Sequence, residues 1–263
     1  MRFWGDGYDL RVNVTDWSEL ERSVAARLAA GRGFCLATLN LDHLVKLRSD
    51  VSFRKAYAAQ DLITADGNPV VWLSRLAARP VELIPGSDAI LPLVRIAAAQ
   101  NKRIALVGST DTALAAARDF LESRIPGACV VAAISPAMGF DPEGEDAEQL
   151  IEALQDAEAD LVFIALGAPK QEVFAAHAAR RLPRAGFASI GAGLDFFAGH
   201  QRRAPRWVRA TAMEWLWRAL SQPTRLVPRY ARCFAILPAE TLHALRLRFA
   251  QDEAKENPVQ SNE

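Results

Sequence analysis

Apolar positions along the chain follow a helical period in some stretches and form strand-length runs in others. Leu20, Val24 and Leu28 recur every four residues and predict a helix over residues 18–30. Gly31 and Gly33 punctuate it, and the apolar run Phe34–Leu39 then predicts a buried strand that stops at the polar Asn40. Leu44, Val45 and Leu47 share a face and predict one helix over residues 41–59. Residues 61–67 predict a short strand or turn running into Asp66-Gly67-Asn68-Pro69, with a helix over 70–78 behind it. Gly86-Ser87-Asp88 reads as the cap of a helix over 89–99.

From there the alternation is regular. Strands are expected over 103–107, 129–134, 161–166 and 187–190, and helices over 112–124, 147–157 and 170–181. Such a sequence predicts an α/β fold, a mostly parallel sheet with helices on both faces and right-handed connections. Ligands of such sheets bind outside the carboxyl ends of the strands. The polar and glycine-bearing motifs fall at those ends: residues 38–40, 66–68, 108–110, 167–171 and 191–195. Their convergence predicts one shared site.

Beyond Gly199 the pattern changes. Pro205, Pro223, Pro228 and Pro238 are expected to break the segment into short helices rich in Trp, Leu and Arg. The chain thus reads as an α/β domain over 1–199, an appendage over 200–250 and a disordered polar tail over 251–263.

Charge sharpens the division. The formal net charge is zero, yet residues 200–250 hold ten arginines against Glu214 and Glu240, a net +8. A basic block on a mildly acidic body points to an anionic partner: phospholipid head groups, diphosphates or nucleic acid. Trp207, Trp215 and Trp217 interleave with Arg206, Arg209 and Arg218, which suits a membrane interface, a nucleic acid, or simple packing on the body. Cys35, Cys129 and Cys233 are widely spaced and form no zinc pattern; Cys35 and Cys129 sit in apolar runs and read as core thiols, fitting a reducing cytoplasm. Residues 1–10 carry no signal pattern, and no charge-free apolar stretch is long enough to predict a transmembrane helix.

The motifs narrow the chemistry. Gly108-Ser109-Thr110 at a strand end allows close approach to a phosphate or ribose, or makes a plain strand-to-helix turn. Neither the dinucleotide fingerprint nor a P-loop is present. Asp66 is either a turn aspartate or a general base toward a hydroxyl. In Gly167-Ala-Pro-Lys-Gln-Glu172, Gln171 can bond a base, ribose or sugar, or the string is an ordinary helix start. Asp195 lies among apolar residues and needs partners from a ligand or from backbone amides.

Taken together, these strings resemble the WecG/TagA/CpsF family of bacterial glycosyltransferases, glycosyltransferase family 26. The matching strings run from Thr38-Leu-Asn40 and Thr64-Ala-Asp66-Gly67-Asn-Pro-Val-Val-Trp72 through Pro85-Gly-Ser-Asp88 and Leu166-Gly-Ala-Pro-Lys-Gln-Glu172. They continue with Gly191-Ala-Gly-Leu-Asp195-Phe, Arg203-Ala-Pro205, Glu214-Trp-Leu-Trp-Arg218, Pro223-Thr-Arg225 and Arg229-Tyr230, covering roughly residues 34–234. The resemblance implies a Rossmann-like domain of the GT-E type with a C-terminal membrane-targeting appendage. It also implies inverting transfer, without a metal or other cofactor, from a UDP-sugar to a polyprenyl-diphosphate-linked saccharide, at the cytoplasmic face of the bacterial plasma membrane. Asp66 then matches the catalytic base, and Thr38, Asn40 and Gln171 the polar lining of its pocket. Gly108 and Asp195 fall in the loops around the UDP moiety, and Arg218 and Arg225 match appendage arginines that close over the diphosphate.

The chain departs from the family pattern in three places. Leu83 follows Glu82 where an arginine is common, Gln222 replaces a common Glu, and Ala137-Met138 stand where an aromatic is frequent. A non-catalytic nucleotide-sugar sensor and a nucleic-acid-binding protein are the rival readings. The ordered α/β motifs favour the enzyme, with no nucleic-acid partner expected, and a homo-oligomer is compatible with the sequence.

Overall fold

The computed structural model describes residues 1–5, 8–197, 217 and 223–256. A hairpin of β1 (Arg2–Gly5) and β2 (Tyr8–Arg11) opens the chain, a feature the sequence reading did not anticipate. Then follow α1 (Trp17–Ala29), β3 (Phe34–Leu39), α2 (Leu41–Ser49), α3 (Val51–Ala58), β4 (Leu62–Ala65), α4 (Asn68–Leu76) and α5 (Gly86–Ala99). The regular alternation continues with β5 (Arg103–Gly108), α6 (Asp111–Arg124), β6 (Cys129–Ile134), α7 (Glu145–Asp156), β7 (Leu161–Ala165), α8 (Lys170–Arg181) and β8 (Gly186–Ser189). Among the described residues, a 3₁₀ turn, Gly191–Phe196, and a long helix, α9 (Pro223–Glu256), follow.

The six strands β3 to β8 form one all-parallel sheet in the order β4-β3-β8-β7-β5-β6. Burial on both faces explains the apolar runs of the inner strands β5 and β7. In β5, Ile104 and Leu106 face the layer of α1, α5 and α6, while Ala105 and Val107 face that of α7 and α8. In β7, Leu161 and Phe163 divide from Val162 and Ile164 in the same way. Each such large side chain taken from water contributes about 1.5–3 kcal/mol. A third core joins the ends of β3 and β4 to the hairpin, α2, α3, α4 and α9.

This topology creates the crevice. The chain leaves β5 for α6 on one face and leaves the adjacent β7 for α8 on the other. Neighbouring strands whose connections part to opposite faces open a cleft at their carboxyl ends.

Three local expectations are corrected. The helix foreseen over 41–59 is two helices, because the Asp50 side chain accepts from the Phe53 amide and restarts the chain. The α5 helix starts at Gly86, with Pro85 at its N-cap and Ser87 and Asp88 already inside its first turn. Its start is set by packing: a Cβ on Gly86 would lie 2.8 Å from the Ile190 Cα. Gly86→Ala is therefore expected to cost about 1–3 kcal/mol, which chemical denaturation would read as a lower midpoint at unchanged slope. Cys129 is exposed rather than a core thiol, because it begins the edge strand β6.

The appendage gives the fourth correction. Pro228 and Pro238 lie inside one continuous helix instead of dividing it, and α9 runs past Ala250 to Glu256. Each interior proline removes a helix hydrogen bond at a cost of about 3 kcal/mol. Tertiary contact offsets this: Leu226, Cys233, Ile236, Ala244 and Leu247 are buried, four of them in the core shared with α2 and α4. Arg48 donates to the buried Glu240 at 2.8 Å, and Arg229 Nε lies 3.1 Å from Asp42 Oδ1 without hydrogen-bond alignment. Burial raises the Asp42 carboxyl, but Arg229 and Lys46 outweigh it and hold it below the usual carboxylate range.

Candidate active site

The ends of β3 and β4 lie side by side, with Thr38 opposite Thr64 and Leu39 opposite Ala65. Asp66 follows β4, its amide donating to the Leu39 carbonyl at 2.8 Å, so the ladder itself places this carboxylate beside Asn40. Asn40 caps α2: its Oδ1 accepts from the His43 amide at 3.0 Å. With the oxygen so used, the amide must turn its Nδ2 outward, and Nδ2 stands 3.5 Å from Asp66 Oδ2. Asp66 and Asn40 are both half-buried, as side chains that meet a ligand must be.

Behind them lies a packed polar support. The Thr38 carbonyl accepts from the Tyr57 hydroxyl at 2.6 Å and lies 2.8 Å from His43 Nδ1. His43, Phe53 and Tyr57 stack edge to face in pairs. Burial, reinforced by Lys46, pushes the His43 imidazole down to about 4, so the ring is neutral at pH 7. Burial also raises the Tyr57 phenol well above its ordinary value, with Glu172 and Asp66 adding to it. Lys46 Nζ donates to the Ala168 carbonyl at 2.9 Å and pairs with Asp42 at 2.9 Å, tying α2 to the loop after β7.

A second group forms around β5, β6 and the 3₁₀ turn. Gly108 has φ +99°, and a Cβ there would meet the Ala165 oxygen at 2.5 Å, so only glycine lets β5 end this close to β7. Ser109, itself left-handed at φ +61°, donates its hydroxyl to Asp195, and its carbonyl accepts from the Ser135 hydroxyl at 2.8 Å. The partner that the Asp195 position demands thus includes a side chain, the Ser109 hydroxyl, from the motif that ends β5.

Gln171 stands between the two groups. Its Oε1 accepts from the Gly191 amide at 3.0 Å and its Nε2 donates to Glu172 at 2.8 Å, next to the cis Ala168–Pro169 peptide. Thr38, Asn40, Asp66, Gln171, Gly108 and Asp195 therefore all lie along the carboxyl ends of one sheet. Arg218 falls outside the described residues, as does the side chain of Arg225, whose backbone lies in α9. Leu83 pairs in a bridge with Ala65, which sets an apolar side chain beside the strand that delivers Asp66.

Sequence patterning alone does not single out His43, Tyr57, Glu172, Ser109 and Ser135 as site residues. His43 had a signal, since it stands three residues beyond the helix-capping Asn40. Tyr57 had none, because the packing that brings it to Thr38 is tertiary. Among the described residues, no helix is long and apolar enough to cross a membrane. A model of the glycosyl transferase WecG/TagA/CpsF family matches residues 6–252 of the chain.

Proposed function

Since the chain belongs to the WecG/TagA/CpsF glycosyl transferase family, we propose that it transfers a sugar, with inversion and without a metal, from a UDP-sugar to a polyprenyl-diphosphate-linked saccharide. The acceptor hydroxyl loses its proton to Asp66 and attacks the anomeric carbon from the face opposite the diphosphate. The new bond joins acceptor oxygen to anomeric carbon, the bond from that carbon to the diphosphate oxygen breaks, and UDP leaves.

One observation carries the reading: a half-buried carboxylate, Asp66, held beside Asn40 at the carboxyl edge of a parallel sheet. The helices that follow the strand ends start at this edge, and the positive poles of their dipoles favour an anionic diphosphate there. Arg218 and Arg225 supply the remaining positive charge to the leaving group. The nucleotide lies toward Gly108 and Asp195, and Leu83 borders the acceptor side.

The appendage brings the enzyme to the inner face of the bacterial plasma membrane. In support, α9 leaves Val227, Phe234, Leu242 and Phe249 exposed, at successive spacings of seven or eight residues along one side. Exposed Arg246 and Arg248 flank that stripe and suit anionic head groups. The protein is expected to sediment with phosphatidylglycerol vesicles at low salt and much less with phosphatidylcholine vesicles. Equal binding to both would remove the electrostatic part of this reading.

The test of the function is turnover of a UDP-sugar panel on a lipid-diphosphate-linked acceptor. Product from one donor supports transfer. UDP binding with no product from any donor would favour a non-catalytic nucleotide-sugar sensor.

A further inference from the structure

Glu172 is fully buried at the start of α8, and the reaction above gives it nothing to do. One of its carboxyl oxygens accepts from Gln171 Nε2 at 2.8 Å, and the other, Oε2, is buried without a partner. Its own carbonyl receives Gln60 Nε2 at 3.4 Å, and Gln60 in turn keeps a buried Oε1 without a partner. A carboxyl kept in such surroundings, where an apolar side chain would avoid the desolvation, points to a task.

The task is visible in the next side chain. Gln171 is 2% exposed, and both ends of its amide are engaged inside the chain. The Gly191 amide can only donate, so it demands the Gln171 oxygen, and the nitrogen end must then find an acceptor. Glu172 is that acceptor. The chain thus runs from Glu172 through Gln171 to Gly191, the first residue of the 3₁₀ turn whose fifth residue, Asp195, receives the Ser109 hydroxyl.

We propose that Glu172 is a positioning residue: by holding the Gln171 amide it fixes the Gly191 turn, and with it Asp195, where the donor's nucleotide is received. This rests on the donor reading above only for the identity of what Asp195 meets. Gln171, on this account, is a strut of the site rather than a group spent on the substrate.

The test uses the full-length chain and two readouts. Without ligand, amide hydrogen exchange at Gly191 reports the strut directly. With UDP as probe, titration calorimetry reports the site it supports. Glu172→Ala is expected to speed Gly191 exchange and weaken UDP binding about tenfold, as expected for one lost buried hydrogen bond. Glu172→Gln, whose side-chain oxygen accepts the same bond, is expected to keep both readouts within about twofold of wild type. Gln171→Ala is expected to match Glu172→Ala, and the double variant to be no worse than either single one. Should Glu172→Ala not fold, Gln171→Met carries the same test with Glu172 left in place. Wild-type exchange at Gly191 in folded Glu172→Ala, or in Gln171→Met where that stands in, overturns the proposal, as do additive losses in the double variant. A wild type that does not bind UDP refutes the donor reading instead, and the exchange readout still decides on the strut.

Discussion

Asp66→Asn is expected to lower kcat by about 10²–10⁴-fold, the range for loss of a positioned general base, while leaving the fold intact. The asparagine is isosteric, and its side-chain oxygen can still accept from Asn40 Nδ2, the contact that Asp66 makes at 3.5 Å. The Asp66 backbone amide, bound to the Leu39 carbonyl, is untouched. Melting temperature and UDP affinity should therefore stay near wild type, and the loss should appear in kcat rather than in donor KM. Folded Asp66→Asn with full turnover would remove Asp66 as the base.

The second large effect concerns stability against pH, with two buried groups pulling in opposite directions. Burial pushes the Glu172 carboxyl up to about 7, with its bond from Gln171 opposing only in part. Its folded value lies above its unfolded one, so its contribution is fully present below about pH 4.5 and is lost as pH rises through 7. Burial lowers His43 to about 4. Its folded value lies below the unfolded one, so its contribution is present above about pH 6.5 and is lost as pH falls through 4. Each shift corresponds to roughly 3 kcal/mol, and between these limits the two slopes largely cancel in the wild type.

Substitution separates them. Glu172→Gln stays neutral at every pH, so its stability relative to wild type should rise by roughly 3 kcal/mol between pH 4.5 and 8. Denaturant unfolding at a series of pH values measures this difference. A gap that is flat across that range would mean that Glu172 is not held neutral by its surroundings.

Much of the fold can be read from the chain, for a physical reason. The inner strands β5, β7 and β8 are buried on both faces and carry continuous apolar runs bounded by glycine and polar punctuation. Parallel pairing then follows from alternation with helices, and the site follows from the carboxyl ends of the strands. What escaped the sequence depends on contact between distant segments. Pro228 and Pro238 look like helix breakers because the local rule omits the core that α9 shares with α2 and α4. Asp50 interrupts what periodicity alone joins into one helix.

The same division runs through the site. Asp66, Asn40, Gly108, Gln171 and Asp195 announce themselves as polar or glycine residues at strand ends. Tyr57 and His43 do not, since their role is to hold the Thr38 carbonyl from behind. Glu172 looks like an ordinary first-turn carboxylate of α8 until its burial is known. Cys129 errs the other way, because an apolar run does not reveal that its strand lies at the sheet edge.

The most direct measurement is turnover of a panel of UDP-sugars on a polyprenyl-diphosphate-linked saccharide, with wild type and Asp66→Asn run in parallel and product stereochemistry read by NMR. Glycosylated lipid is expected from at least one donor, inverted at the anomeric carbon, with UDP released in equal amount and the product lost in the variant. Wild-type protein that binds UDP yet forms no product from any donor, or product with the donor's configuration retained, would contradict it.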